Sequence, residues 1–478
     1  MNVPVRRSLF HRRSQPNIYR IFLWVVLILG GIWLLREIQM GELRSLYEAP
    51  PTPTRTANSY ALEGEAQFVA GNLNAAIQAY RRATEIEPNN AKIWAELARI
   101  QAYSSALLTT DPERLARLNE ALQAAEQAAA LAPDDSTVHA IYAFVLDWNA
   151  NPALIGEKQA QAYLTQAEQE AVRALQLDNT NTLALAFYAE ILVDQQKWSQ
   201  AEQYIKQALE RDPGLMDVHR VNAYVLESLG QYTLAIESYQ KAIELAPNLT
   251  FLYLRAGANY RRLGFASPNE ETQRELYEKS LEYFAAAARI NEQLGIKDPI
   301  PYLSIARTYS QMGEFFIAAR NVQKALEFQP SNPDVYGQLG VIYFKSRNYE
   351  GSIPALKCAI RGCTAEESCE GRGGCGPNDT PAAVTGLPLS PSTVLYYYTY
   401  GSVLAALSRP QQNYCPEALE IFAQVKAQFG SDPDIAGIVR AGEAICASLA
   451  EETSPSTSGA MTPTPTPTPL ATPTPANR

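Results

Sequence analysis

Histidine is scarce in this chain: His11, His139 and His219 are the only three in 478 residues. No two histidines share a helix face, no glycine-rich phosphate loop occurs, and no nucleophile elbow is present. Those gaps argue against zinc-peptidase, nucleotide-hydrolysing and serine-hydrolase chemistry. Carboxylates are plentiful but fall in runs such as NEETQRE, which read as solvated helix faces. With no catalytic constellation, the chain is expected to be no enzyme and to need no cofactor or metal. Alternation of β-branched residues is also sparse. An alanine-rich chain in which Tyr (26) outnumbers Phe (14) and Trp (5) reads as all-α. Acid is absent from residues 1–20, which carry Arg6, Arg7, Arg12, Arg13 and Arg20, so with a net charge of −10 for the whole chain the remainder carries −15. A body of that sign does not attract phosphate, and no nucleic-acid partner is expected.

IFLWVVLILGGIWLL (21–35) holds no polar side chain. As a helix it rises about 22 Å, short of a hydrocarbon core of roughly 30 Å. Snorkelling by Arg20 and Arg36, with Tyr19, Trp24 and Trp33 near the interfaces, closes the gap. The rival reading, a cleaved signal peptide, wants a small-x-small site that REIQMGELRSLYEAPP does not offer; a buried helix is the third. We therefore expect a basic cytoplasmic tail over 1–17, a transmembrane anchor over 18–36 and a stalk over 37–58. The five arginines ahead of the span place the N-terminus in the cytoplasm of a cell membrane crossed once, with everything later outside it. A bacterial source is the working expectation, since eukaryotic sorting signals are missing.

Pro213 and Pro247 stand 34 residues apart, with Asn179 34 before Pro213. Each interval holds two helical patterns with a turn between them, and proline follows the second because it cannot continue a helix. Small residues recur where two backbones must approach. One copy shows His219, Ala223, Leu226, Ala235, Tyr239, Ala242 and Pro247; others show Tyr60, Gly64, Ala76, Tyr80, Ala83 and Pro88, or Tyr253, Gly257, Tyr260, Phe284 and Ala287. The unit resembles the tetratricopeptide repeat (TPR), whose pattern sets an aromatic at position 4, Gly or Ala at 8, Ala at 20, an aromatic at 24, Ala at 27 and Pro at 32. The likeness covers about residues 57–430. It implies a right-handed solenoid of about nine helical hairpins over 59–430, closed by a capping helix over 431–450. Repeats two, three and six are overlong around 104–114, 149–160 and 265–276, at one structural point, so they should decorate one edge; the bland alternative is merely longer helices. His139 and His219 fall at position 4, which favours packing over catalysis.

Six cysteines lie in the last quarter: Cys358, Cys363, Cys369, Cys375, Cys415 and Cys446. Four border or occupy an insert over 361–391 rich in Gly, Pro and Ser. Their spacing is too loose for a zinc knuckle, and an even count outside the cytoplasm favours disulfides. Cys415 and Cys446 should pair, because the ninth hairpin and the terminal helix should pack together. The other four can pair in three ways.

The resemblance also implies a concave groove lined by the first helix of each hairpin. The groove positions include Arg220, Tyr224, Phe251, Arg261, Arg262, Arg307, Phe344 and Lys345. Cations gathered there would attract an acidic peptide or a C-terminal carboxylate, unless they are ordinary solvated charges. The Lys/Asn/Lys/Arg carboxylate clamp of some family members is not found. The tail over 451–478, rich in Pro and Thr, should be extended and disordered, as a spacer or a site of sugar attachment. Together these features predict a membrane-anchored extracytoplasmic scaffold for proteins or peptides. The alternatives are a structural part of an envelope assembly or a targeting subunit for a separate enzyme.

Overall fold

The structure is a computed structural model that describes residues 17–39, 55–376 and 379–453. Residues 1–16 of the basic tail, with His11, residues 40–54 of the stalk, residues 377–378 of the insert and the Pro/Thr-rich tail from residue 454 lie outside the described residues. The chain divides into two compact units, 1–55 and 56–478.

The first unit contributes one helix, α1 (Ile18–Gln39). It outruns the purely apolar core of the sequence because Ile18 and Tyr19 on one side and Arg36–Gln39 on the other continue the same hydrogen-bonded ladder. At 1.5 Å per residue it is about 33 Å long, enough for a hydrocarbon core of roughly 30 Å. Its stretch Ile18–Glu37 has a mean hydropathy of 2.2 and none of it is buried. By length and composition this helix can cross a membrane.

The second unit is all-helical among the described residues and built of nine antiparallel hairpins. These are α2/α3 (Ala57–Val69, Leu73–Ile86), α4/α5 (Ala91–Ser105, Asp111–Leu131), and α6 (Ser136–Asn149) with α8 (Glu157–Leu177), the short α7 (Pro152–Ile155) lying between them. They continue as α9/α10 (Thr182–Asp194, Trp198–Arg211), α11/α12 (Met216–Ser228, Tyr232–Leu245), α13/α14 (Thr250–Ala266, Glu270–Gln293) and α15/α16 (Ile300–Gln311, Phe315–Phe328). The last are α17/α18 (Pro333–Lys345, Tyr349–Ile360), then α19 (Ala365–Gly371) in the cysteine-rich insert, and α20/α21 (Val394–Leu407, Cys415–Phe429), with α22 (Pro433–Thr453) packed on that final pair. Each hairpin packs on the next, as a solenoid must.

Two devices in the sequence set this geometry. Within a hairpin, a small residue on the first helix receives a ring from the second. A Cβ at Gly257 would lie 2.6 Å from the ring of Phe284, and one at Gly64 2.4 Å from Tyr80. Between hairpins, the residue at position 4 sends its polar tip back to the carbonyl of the proline six residues earlier. Trp94 Nε1 donates to Pro88 O at 2.8 Å, and Tyr253 OH to Pro247 O at 2.8 Å. Tyr336 OH does the same to Pro330 O at 3.1 Å. His139 and His219 use Nε2 for this contact, to Pro133 O and Pro213 O, at 2.9 Å in both cases. The histidines therefore tie the end of one hairpin to the start of the next. Where Asn179 replaces the proline, position 4 is the apolar Leu185, which has no polar tip to send back.

The overlong repeats resolve as longer helices. Their second helices, α5, α8 and α14, run to 21, 21 and 24 residues, against 14 in α10 and α12. Only the four-residue α7 is added as a separate element. The extra length thus extends the outer layer. The cysteines form three disulfides, Cys358–Cys363, Cys369–Cys375 and Cys415–Cys446. The first ties α18 to the insert's entry, the second folds the loop after α19 onto that helix, and the third ties α21 to α22.

The array also turns back on itself. Asn248 Nδ2 donates to Val69 O at 3.2 Å, linking the first hairpin to the sixth. Arg99 Nη1 meets Asp217 Oδ2 at 2.9 Å, linking the second to the fifth. Asn332 Nδ2 donates to Thr109 Oγ1 at 2.9 Å, linking the second to the eighth. Helices lining this turn are covered on every side. Residues 138–147 of α6 and 184–193 of α9 are buried without a break, as suits helices that are apolar nearly all round.

The close approach at Gly257 is directly testable. Phe284 is 1% exposed and has nowhere to retreat, so Gly257→Ala should overpack the hairpin and cost about 1–3 kcal/mol, read as a lower thermal midpoint. An unchanged midpoint would show that the ring can yield.

Candidate functional site

Arg220 enters from the second turn of α11 and stays buried at 6% exposure. Its Nη1 and Nη2 donate to Glu190 Oε1 and Oε2 of α9 at 2.7 and 2.6 Å. The guanidinium also lies over the rings of Tyr103, Phe144 and Trp148, at 5.3, 5.4 and 5.9 Å from their centroids. Tyr103 stacks on Phe251 at 5.1 Å and donates to Asp217, which Arg99 neutralises. Five hairpins, the second to the sixth, thus converge on one buried ion pair wrapped in aromatic rings.

This placement corrects the expectation of a cationic groove. Arg220 and Phe251 face inward, but what faces them is the opposite wall of the same unit, not solvent. Tyr224 donates to Asp194, and Arg262 is paired with Glu227. Arg261 lies over the Phe284 ring at 5.4 Å; burial, with Arg307 and Arg262 nearby, lowers its pKa to about 10. Arg307 is exposed on α15, while Phe344 and Lys345 are exposed at the end of α17, in the eighth hairpin. The eight residues therefore do not form one surface. A repeat position specifies which way a side chain points along its own helix, not what lies across the turn.

The concavity that does exist is a cavity of about 990 Å³, bounded by α6 to α9, α11 to α13 and the start of α15. Asp147, Glu157, Glu168, Glu190 and Asp194 line it, against Lys197, Arg220 and Arg255. Lys197 Nζ holds Glu168 at 2.6 Å and Arg220 holds Glu190. Arg255 lies 3.5 Å from Glu227, which is outside the lining. Asp147 has no such partner. It is 4% exposed, and its Oδ1 accepts no hydrogen bond. Burial, reinforced by Asp194 and Glu190, holds its carboxyl well above the usual range. Burial of its carboxyl, with Glu190 nearby, raises Asp194 to about 6, although the residue keeps an exposed face toward the cavity. Sequence reasoning passed over Asp147, Glu190 and Asp194. The signal was present: each is an ionisable residue in an apolar helix, YAFVLDWN or ALAFYAEILVD.

Residues 188–250 match a family described as "Tetratricopeptide repeat", and residues 64–103 match one described as "TPR repeat". Tetratricopeptide repeats are thus recognised over these two stretches. No curated protein matches the chain. Among solved structures it is similar to a thermophilic TPR protein of Thermus thermophilus, at 20% identity and a TM-score of 0.35, over 43% of this chain and 98% of that one. It is also similar to the human IFIT1 dimer with PPP-AAAA, at 15% identity and a TM-score of 0.48, over 83% of this chain and 92% of that one.

Two outcomes follow from the charges inside these repeats. Arg220→Ala leaves the buried Glu190 without a cation, held only by the Trp148 indole N–H at 3.2 Å, and should cost about 3–5 kcal/mol. The double variant Glu190→Leu/Arg220→Met should recover much of that loss in a denaturant titration; a single-variant cost under about 1 kcal/mol would show the pair to be dispensable. The second concerns pH. Asp147 is raised by burial, and Asp298 is raised to about 6, also by burial. A carboxyl that binds its proton more tightly folded than unfolded stabilises the fold as pH falls toward the unfolded pKa of about 4. His139, raised by its hydrogen bond to Glu170, acts in the same direction. The thermal midpoint of the detergent-solubilised chain should therefore rise between pH 7 and pH 5, and the rise should shrink in Asp147→Asn. A midpoint that falls over that interval would contradict the buried-acid account.

Proposed function

We propose that this chain is a membrane-anchored scaffold whose repeat unit lies outside the cytoplasm and holds protein or peptide partners without catalysing a reaction. The observation that carries the reading is the combination on one chain of stacked tetratricopeptide repeats, an apolar exposed helix ahead of them and three disulfides within them. Stacked repeats of this kind present extended surfaces to partners. Disulfides persist in oxidising compartments, which supports an extracytoplasmic repeat unit. Five arginines and no acid over residues 1–20, against mixed charge after the span, support an N-terminus in the cytoplasm.

The closing of the unit on itself redirects where partners would dock. The inner wall around Arg220 is lined by the protein's own ion pairs and rings, and the cavity of about 990 Å³ beside it has room for a single side chain rather than for an extended peptide running the length of the wall. Arg307, Phe344 and Lys345 remain exposed and are the sequence-derived contact residues we retain.

Protease added to intact cells should digest the repeat unit while sparing α1, and the six cysteines should resist maleimide until reduced. Full protection of the repeat unit would reverse the orientation. Partners crosslinked to the wild type in the membrane should be recovered in much lower yield with Phe344→Asp/Lys345→Glu. Equal recovery would exclude that surface.

A further inference from the structure

The cavity beside Arg220 has a charge imbalance that the fold does not resolve. On its wall, Asp147 at the end of α6, Asp194 at the end of α9 and Glu157 at the start of α8 are in no ion pair among the described residues, and of these Asp147 and Asp194 lie close enough to repel each other. Glu190 is committed to Arg220, and Arg255 is nearest to Glu227 at 3.5 Å with its guanidinium 5.7 Å from the Tyr224 ring. Asp194 accepts only the neutral hydroxyl of Tyr224. Asp147 is nine-tenths buried, and its Oδ1 is left without any hydrogen bond. An uncompensated buried carboxylate costs several kcal/mol, so the same position filled by Asn or Leu would give a more stable protein. Trp148 and Tyr224 add aromatic faces to the same wall, which favour a cation over a neutral guest. A volume of about 990 Å³ exceeds what one small ion needs and suits a flexible chain several bonds long. Among the described residues no group of three or more His, Cys, Asp or Glu is arranged to hold a metal ion.

We propose that this cavity binds an alkylammonium group, seated between Asp147 and Asp194 against Trp148 and Tyr224. The group can be carried by a lysine side chain of a bound peptide or by a free linear oligoamine; both present the same primary ammonium on an apolar stem. The site goes beyond the scaffold reading and does not depend on it, since scaffold partners are recognised at exposed residues of other hairpins.

Calorimetric titration of the full chain in detergent tests the proposal. The probes are spermidine, a short peptide alternating alanine with lysine, the same peptide with glutamate for lysine, and magnesium chloride. Wild type should bind spermidine, the lysine peptide or both, and should not bind the glutamate peptide. Asp147→Asn and Asp194→Asn should each weaken that binding at least tenfold. Glu85→Gln, on the exposed face of α3, should leave it unchanged. Asp147→Asn should also unfold at a higher temperature than wild type, a paired gain and loss that misfolding cannot imitate. Binding of spermidine alone assigns the site to a free oligoamine, and binding of the peptide alone assigns it to a lysine side chain. Failure of both amines to bind, affinity unchanged in Asp147→Asn, or magnesium displacing the amine would overturn the proposal. None of these failures bears on the crosslinking yields that test the scaffold.

Discussion

The bidentate pair between Arg220 and Glu190 is the contact around which the second to sixth hairpins are organised. Both residues are almost wholly buried, so neither charge can be left to water. Leucines at the two sites would pack as well and cost less. What the pair supplies is direction: the guanidinium fixes its distance from α9 by two hydrogen bonds and presents its faces to Tyr103, Phe144 and Trp148. Tyr103 in turn reaches Asp217 and Phe251 across the turn. Contacts between adjacent hairpins specify neighbours, whereas contacts across the turn, such as Arg99 with Asp217 and Asn332 with Thr109, specify curvature.

That distinction explains what could be read from the sequence. Hairpin order, helix ends and the stacking partners are local: Gly257 opposite Phe284, or Tyr253 six residues after Pro247, can be recognised inside one repeat. The pairing of Cys415 with Cys446 depends only on adjacent elements. Curvature is different. It sums small rotations over many repeats, so whether Arg220 faces water or the opposite wall is decided by residues more than a hundred positions away, Tyr103 among them. Position within the repeat indicates the inward face. It could not give what occupies the space in front.

The overlong repeats illustrate the same limit. An excess of residues at one point of the repeat can extend a helix or form a protruding loop with equal economy in sequence terms. Helix won because the added segments, DPERLARLNEALQAAEQAAAL among them, are strong helix formers with acid in the first turn. The histidines show that a family position carries chemistry as well as shape. Trp, Tyr and His share position 4 because each pairs a flat apolar body with one polar tip long enough to reach the preceding proline's carbonyl.

The buried apolar residues separate into two clusters, one running from Ala57 to Ala256 and the other from Ala306 to Leu449. Polar contacts bridge the join. Ser280 Oγ lies 3.5 Å from Thr308 Oγ1, Arg261 donates to Ser304 O at 3.3 Å, and Asn291 Nδ2 donates to Asp298 at 2.9 Å. Hydrogen bonds contribute little net stability compared with the apolar burial they replace, yet they demand a defined geometry. The sixth and seventh hairpins are therefore held in register without being strongly fused. The C-terminal cluster compensates with covalent links: all three disulfides fall within it or at its edge. A shorter stack of hairpins buries proportionally less surface, and cross-links that restrict the unfolded chain are the means by which such a segment can stand beside a larger neighbour. The ion pair and aromatic rings do that work on one side of the join, and the disulfides do it on the other.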